Sequence, residues 1–180
     1  FVVGNLSVCG TGKSPVVAAL VDALQRRGLR VGILARGYGV ELRESREVVA
    51  GVSASEVGDE PLMHALTTGA RVVVSPDRAA GARHLERLGV EVIIADDGLQ
   101  HYALERDLEI VVIDASRGFG NGRLLPAGPL REPVSRLATI DYVIVNGEAT
   151  ERTDWRGREG QLALRLFPAA ARRVDDGREW

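Results

Sequence analysis

Short apolar runs recur along the chain with little polar alternation: FVV at 1–3, VGIL at 31–34, RVVVS at 71–75, EVIIAD at 91–96, EIVVID at 109–114, DYVIVN at 141–146 and QLALRLF at 161–167. Such runs mark strands buried on both faces, as in a parallel sheet covered by helices. Helical stretches lie between them. In PVVAALVDALQRRG, Val16, Leu20 and Leu24 repeat every four residues and Gly28 supplies a stop. DRAAGARHLERLG, ending at Gly89, reads as a second helix, and a third begins near Asp59-Glu60-Pro61 and runs through LMHAL, with Pro61 tolerated in a first turn. Strands alternating with helices predict an α/β domain with a doubly wound, mostly parallel sheet.

No linker, repeat or low-complexity tract divides the 180 residues, so a single domain is expected over 1–180, with about 141–180 a place where a second lobe could begin. The segment SRGFGNGRLLPAGPLREP at 116–133 carries four glycines and three prolines, too many breakers for a regular element. Loops of this length in a compact domain are usually functional or disordered.

The strongest motif is SVCGTGKS at 7–14, placed between the first strand and the first helix as a phosphate-binding P-loop requires. Ser7 stands where the general pattern has its first glycine. The nucleotide-binding set is therefore Ser7, Val8, Cys9, Gly10, Thr11, Gly12, Lys13 and Ser14. Gly10 and Gly12 allow backbone N–H groups to face a phosphate, the helix N-terminus adds its dipole, and Lys13 reaches the outer phosphates. Ser14 would supply a hydroxyl to Mg2+. Cys9 falls at a variable loop position, where a small space-filler suffices.

Composition sharpens this picture. Lys13 is the only lysine among 23 basic residues, so the one compact, flexible cation of the chain lies in the P-loop. The same fact removes the usual guanine-reading Asn/Thr-Lys-x-Asp motif and favours ATP over GTP. A net charge of −2 argues against nucleic acid as partner, and the single cysteine excludes an internal disulfide. No apolar run is long enough to span a membrane.

EVIIADDGLQH at 91–101 is an apolar strand ending in two carboxylates, the construction of a Mg2+-binding second motif. Asp96 or Asp97 is the metal partner, depending on where the strand ends. His101 reads as a structural hydrogen-bonding residue behind them.

Taken in order, GNLSVCGTGKSPVV, LARGYG at 34–39, VGDEP at 57–61, DDGLQH at 96–101 and GFGNGRLLPAGPLREP at 118–133 resemble the tetraacyldisaccharide 4'-kinases, over residues 2 to about 167. The resemblance implies transfer of the ATP γ-phosphoryl group to the 4'-hydroxyl of an acylated disaccharide 1-phosphate in lipid A biosynthesis. It places that reaction at the cytoplasmic face of the bacterial inner membrane. It also implies Asp59 as general base beside Lys13, with a helix N-cap as a second, compatible role for Asp59. Arg36, Tyr38, Asn121 and Arg123 match segments that would face the disaccharide and its phosphate. Family members carry an N-terminal membrane-contacting helix and a C-terminal part with a histidine that supports the catalytic aspartate. Neither is recognised here, so the chain reads as a central piece whose activity alone is open. The alternatives are a P-loop ligase or kinase acting on a soluble small molecule, and a nucleotide-dependent switch without enzymatic activity. No obligate protein partner is expected.

Overall fold

The computed structural model describes residues 1–8, 10–148 and 160–166. In chain order the strands are β1 (Val2–Gly4), β2 (Val31–Ala35), β3 (Arg46–Glu47), β4 (Arg71–Val74), β5 (Val92–Asp96), β6 (Glu109–Asp114), β7 (Tyr142–Asn146) and β8 (Gln161–Leu164). The α-helices are α1 (Lys13–Gln25), α2 (Ala54–Val57), α3 (Asp59–Thr68) and α4 (Arg78–Arg87), and a 3-10 helix covers Val134–Thr139. The sheet order is β3-β4-β2-β5-β1-β6-β7-β8, parallel throughout except that β3 runs antiparallel to β4.

Strand pleating divides the apolar runs between two cores, because successive side chains point to opposite faces. Val3, Ile33, Val72, Val74, Ile94, Ile110 and Val112 pack on one face with Val16, Val17 and Val21 of α1. Val2, Leu34, Val73, Ala95, Val111 and Ile113 pack on the other with Leu85 of α4 and with Leu130 and Leu137. Residues such as Val3, Ile33, Leu34 and Val73 have no exposed surface, and each such side chain contributes roughly 1.5–3 kcal/mol of burial. A sheet covered twice needs apolar residues at every strand position, which is why the runs do not alternate.

The seven expected strands and three expected helices are present, with shifted ends. The strand expected over 161–167 ends at Leu164, and 167 lies outside the described residues. β3, α2 and the 3-10 helix were not expected; each is short, and their segments carry no extended periodicity. The segment 116–133 forms no regular element, only isolated bridges of Leu130 with Ser7 and Leu124. β7 and β8 continue the same sheet as β1, and most of the stretch 141–180 beyond them lies outside the described residues.

α2 opens on a reciprocal capping box between Ser53 and Glu56. The Ser53 backbone N–H, Arg46 and the Ser53 hydroxyl, in that order, hold the Glu56 carboxyl down to about 2 from 4.5. Because the folded value is the lower one, this contribution to stability is present above the ordinary glutamate range and is lost as pH falls through about 2. Carbonyl-detected NMR of Glu56 should give that midpoint, and a midpoint near the ordinary value would show that the box does not form in solution.

Candidate active site

Ligands of open α/β sheets bind beyond the carboxyl ends of the strands where the strand order reverses. Here that point is β1, flanked by β5 and β6, and the chain leaving β1 becomes the P-loop. Gly12 caps α1 with φ 93° and ψ 25°, a left-handed conformation that a side chain would strain. Gly4 serves closeness instead: a Cβ there would lie 2.5 Å from the Leu99 Cβ, so β1 can lie against the turn that follows β5.

That turn separates the two carboxylates. Asp96 ends β5 and is buried, whereas Asp97 takes a left-handed φ of 51°, which aspartate tolerates better than most residues. Asp97 accepts two hydrogen bonds from Arg131, at 2.7 Å from Nη2 and 3.0 Å from Nη1, and lies 3.7 Å from the Lys13 ammonium. Burial pushes the Asp97 carboxyl up, but Arg131 and Lys13 outweigh it and hold it below the ordinary aspartate value. Asp96 Oδ2 instead accepts from His64 Nε2 at 3.0 Å, and Asp96 Oδ1 is buried without a partner among the described residues.

Around these carboxylates lies a cavity of about 420 Å³ whose lining includes Arg36, Tyr38, Asp59, Asp96, Asp97 and Arg131. Asp59 opens α3, and the N-cap is Gly58, so the expected cap role of Asp59 is corrected: the helix starts earlier than Pro61 and Asp59 sits in its first turn. Its carboxylate is exposed and has no hydrogen-bond or ion-pair partner among the described residues. Tyr38 is 91% exposed at the rim.

The structure brings Lys13, Asp59, Asp96, Asp97, Arg36 and Tyr38 into one region. Asn121 and Arg123 do not line this cavity. The Asn121 amide donates to the Ala127 carbonyl and its oxygen accepts from the Arg123 backbone N–H, so it shapes its own loop. Ser7, Val8 and Thr11 line a separate cavity of about 260 Å³ with Asp114, Arg117 and Pro129. Cys9 lies outside the described residues. The Ser14 hydroxyl donates to Glu60.

Several residues of the site were not anticipated. Arg78 is buried, donating to the carbonyls of Leu34 at 3.2 Å and Asp96 at 3.1 Å. Burial brings its guanidinium down to about 10, opposed by Asp96 and Asp97. His101 is lowered by its own burial and then by Arg78 and Arg36, against the opposing pull of Asp97. Glu60 and His64 are four residues apart on α3, a same-face spacing visible in the sequence, and with Asp96 they place potential ligand atoms within 4.8 Å of one another. The loop 116–133 is tied to the P-loop strand by Val8 N–H to the Pro129 carbonyl at 2.8 Å and Arg131 N–H to the Leu6 carbonyl at 2.6 Å.

Asp96 and Glu60, with the Ser14 hydroxyl bonded to Glu60 and one buried Asp96 oxygen lacking a partner among the described residues, offer the oxygen donors a hard cation such as Mg2+ takes, and His64 adds a ring nitrogen to the cluster.

Residues 1–179 match the model of the tetraacyldisaccharide-1-P 4'-kinase family. The chain belongs to this family. A curated tetraacyldisaccharide 4'-kinase from Alkalilimnicola ehrlichii is 56% identical over 86% of this chain and 47% of that protein. One from Shewanella loihica is 49% identical over 98% of this chain and 50% of that protein. A crystal structure described as an "apo" form of LpxK from Aquifex aeolicus in complex with ATP superposes with a TM-score of 0.77 at 37% identity, covering 95% of this chain and 54% of that one. The chain thus spans about half the length of the tetraacyldisaccharide 4'-kinases it matches. Membership agrees with the P-loop reading and with ATP, the nucleotide in the related crystal structure.

Proposed function

We propose that this chain forms the nucleotide-binding and catalytic core of a kinase that transfers the ATP γ-phosphoryl group to the 4'-hydroxyl of a tetraacyldisaccharide 1-phosphate. The observation that carries the reading is the shared cavity: Asp59, without a partner among the described residues, faces the same space as Asp96 and Asp97, and Asp97 lies beside the P-loop lysine. Family membership supports the acceptor and favours a kinase over a small-molecule ligase or a nucleotide-dependent switch.

In this reading the P-loop Ser7 to Ser14 holds the phosphates through its free amides, the Val8 N–H being bonded to the Pro129 carbonyl, and Lys13 balances charge on the outer ones. Asp59 accepts the proton of the 4'-hydroxyl as its oxygen bonds to the γ-phosphorus and ADP departs. Asp96 is the metal-holding carboxylate, because its Oδ1 is unclaimed by any described residue while both oxygens of Asp97 are taken by Arg131. Asp96 with Ser14 and Glu60 would hold Mg2+, which supplies neutralisation of phosphate charge. Asp97 acts through the cations it orients. Arg36 and Tyr38, exposed at the rim, meet the sugar or its phosphate, an acceptor suited to the planar donor fork of arginine. Asn121 and Arg123, away from this cavity, contribute through the 116–133 loop.

A lipid acceptor places the reaction at the cytoplasmic face of the bacterial inner membrane. No helix among the described residues is long and apolar enough to cross a membrane, and the reaction is tested on the full-length protein. Incubating that protein with γ-labelled ATP and the tetraacyldisaccharide 1-phosphate should move label into the lipid. ATP binding without labelled lipid would reject the acceptor while leaving the nucleotide site standing.

A further inference from the structure

Two consecutive carbonyls of the P-loop are gripped from outside by side chains that nothing above assigns to nucleotide binding. Arg117 Nη2 donates to the Gly10 carbonyl, and Asn146 Nδ2 donates to the Thr11 carbonyl at 3.1 Å. In a trans peptide the carbonyl and the following N–H point in opposite directions. Fixing the carbonyls of Gly10 and Thr11 on one side therefore turns the N–H groups of Thr11 and Gly12 to the other. No described residue accepts a hydrogen bond from either of these amides. Successive N–H groups directed to one side around a left-handed residue, here Gly12, form an anion-binding nest.

The two donors stand on a common support. Asn146 ends β7 and Asp114 ends β6, and the two are paired in the parallel register, with the Ala115 N–H donating to the Asn146 carbonyl at 2.9 Å. Asp114 in turn holds Arg117 by a hydrogen bond from Nε at 2.9 Å and an ion pair from Nη2 at 2.8 Å. Gly12 is packed closely against this support, since a Cβ at that position would lie 2.7 Å from Asn146 Nδ2. The ends of two neighbouring strands thus brace the glycine-rich loop from behind.

We infer that Arg117 and Asn146 are positioning residues that preset the Thr11 and Gly12 amides for the ATP phosphates by holding the carbonyls behind them. The inference rests on the P-loop reading of nucleotide binding. An amide already turned toward its ligand need not be ordered when the ligand arrives, so the effect appears as affinity. Arg117 also carries charge, and the neutral Asn146 separates bracing from simple attraction for phosphate.

ATP affinity of the full-length protein by calorimetry, together with the ATP-induced NMR shifts of the Thr11 and Gly12 amides, tests the idea. Arg117→Met and Asn146→Leu are each expected to raise the ATP Kd by about tenfold, the loss typical of one such hydrogen bond. Both should shrink the shifts of the two amides, and Arg117→Lys, which keeps a donor, should stay within about threefold of the unmodified protein. Where Asn146→Leu fails to fold by circular dichroism, Asn146→Ala carries the same expectation. Unchanged affinity in the Asn146 variant beside a loss in Arg117→Met would overturn the inference and leave Arg117 as an electrostatic contact. Lost affinity with unaltered amide shifts would overturn it as well. An unmodified protein that binds ATP no better than its Lys13→Ala variant would remove the P-loop reading itself, and this inference with it.

Discussion

Replacing Asp59 by alanine is expected to lower the rate of phosphoryl transfer by about 10²–10⁴-fold, the usual worth of a positioned general base, while leaving ATP affinity within about threefold. The separation follows from where Asp59 stands. It belongs to the first turn of α3, outside the P-loop sequence, and no described residue bonds to its carboxylate. Removing it leaves no buried partner unpaired. Its only structural contribution is a negative charge near a helix N-terminus, on the order of 0.3–1 kcal/mol. Asp59→Asn keeps shape and polarity and loses basicity, so it should share most of the rate loss and little of any stability loss. Single-turnover transfer rates set beside calorimetric ATP affinities in the full-length protein decide the matter. Equal losses in rate and affinity would make Asp59 a structural residue.

The P-loop and the paired aspartates were legible in the sequence because each places its groups within a few residues at the end of one element, whereas Asp59 was singled out by the resemblance of VGDEP to the kinase family and not by spacing. The groups that complete the site come from further away. Arg78 reaches Asp96 from the start of α4, and Arg131 reaches Asp97 from the far end of a loop. In a chain with twenty-two arginines, neither is distinguished by its type. His64 looked like one more position of an amphipathic helix, although its spacing from Glu60 put both on one face. The sheet was legible for the opposite reason: burial on two faces imposes apolar residues at every strand position, a signal that grows with strand length. The two-residue β3 and the four-residue α2 are too short for it to accumulate.

The same contrast between local motif and distant support governs the second large effect, on the pair Asp96 and Asp97. Asp96→Asn is expected to weaken Mg2+ by at least about 10²-fold and to lower transfer correspondingly, since outer-shell partners of metal ligands alone cost 10–100-fold. Asparagine has the volume of aspartate and keeps one oxygen, so the contact with the fully buried His64 survives with the side chain turned to present that oxygen to Nε2. What disappears is the charge on the oxygen that has no partner among the described residues. Asp97→Asn should behave differently. It loses charge opposite Arg131 and Lys13, whose bonds to it are part of the P-loop's surroundings, so ATP affinity should fall together with rate. Titrating Mg2+ into each full-length variant at fixed ATP, with transfer as readout, separates the two. If transfer by Asp96→Asn needs more Mg2+ while its metal-free ATP binding stays intact, and Asp97→Asn keeps the Mg2+ dependence of the unmodified protein and recovers with higher ATP instead, the assignment to Asp96 holds. If Mg2+ dependence moves in Asp97→Asn and not in Asp96→Asn, the metal belongs to Asp97, and the unpartnered oxygen of Asp96 requires another explanation.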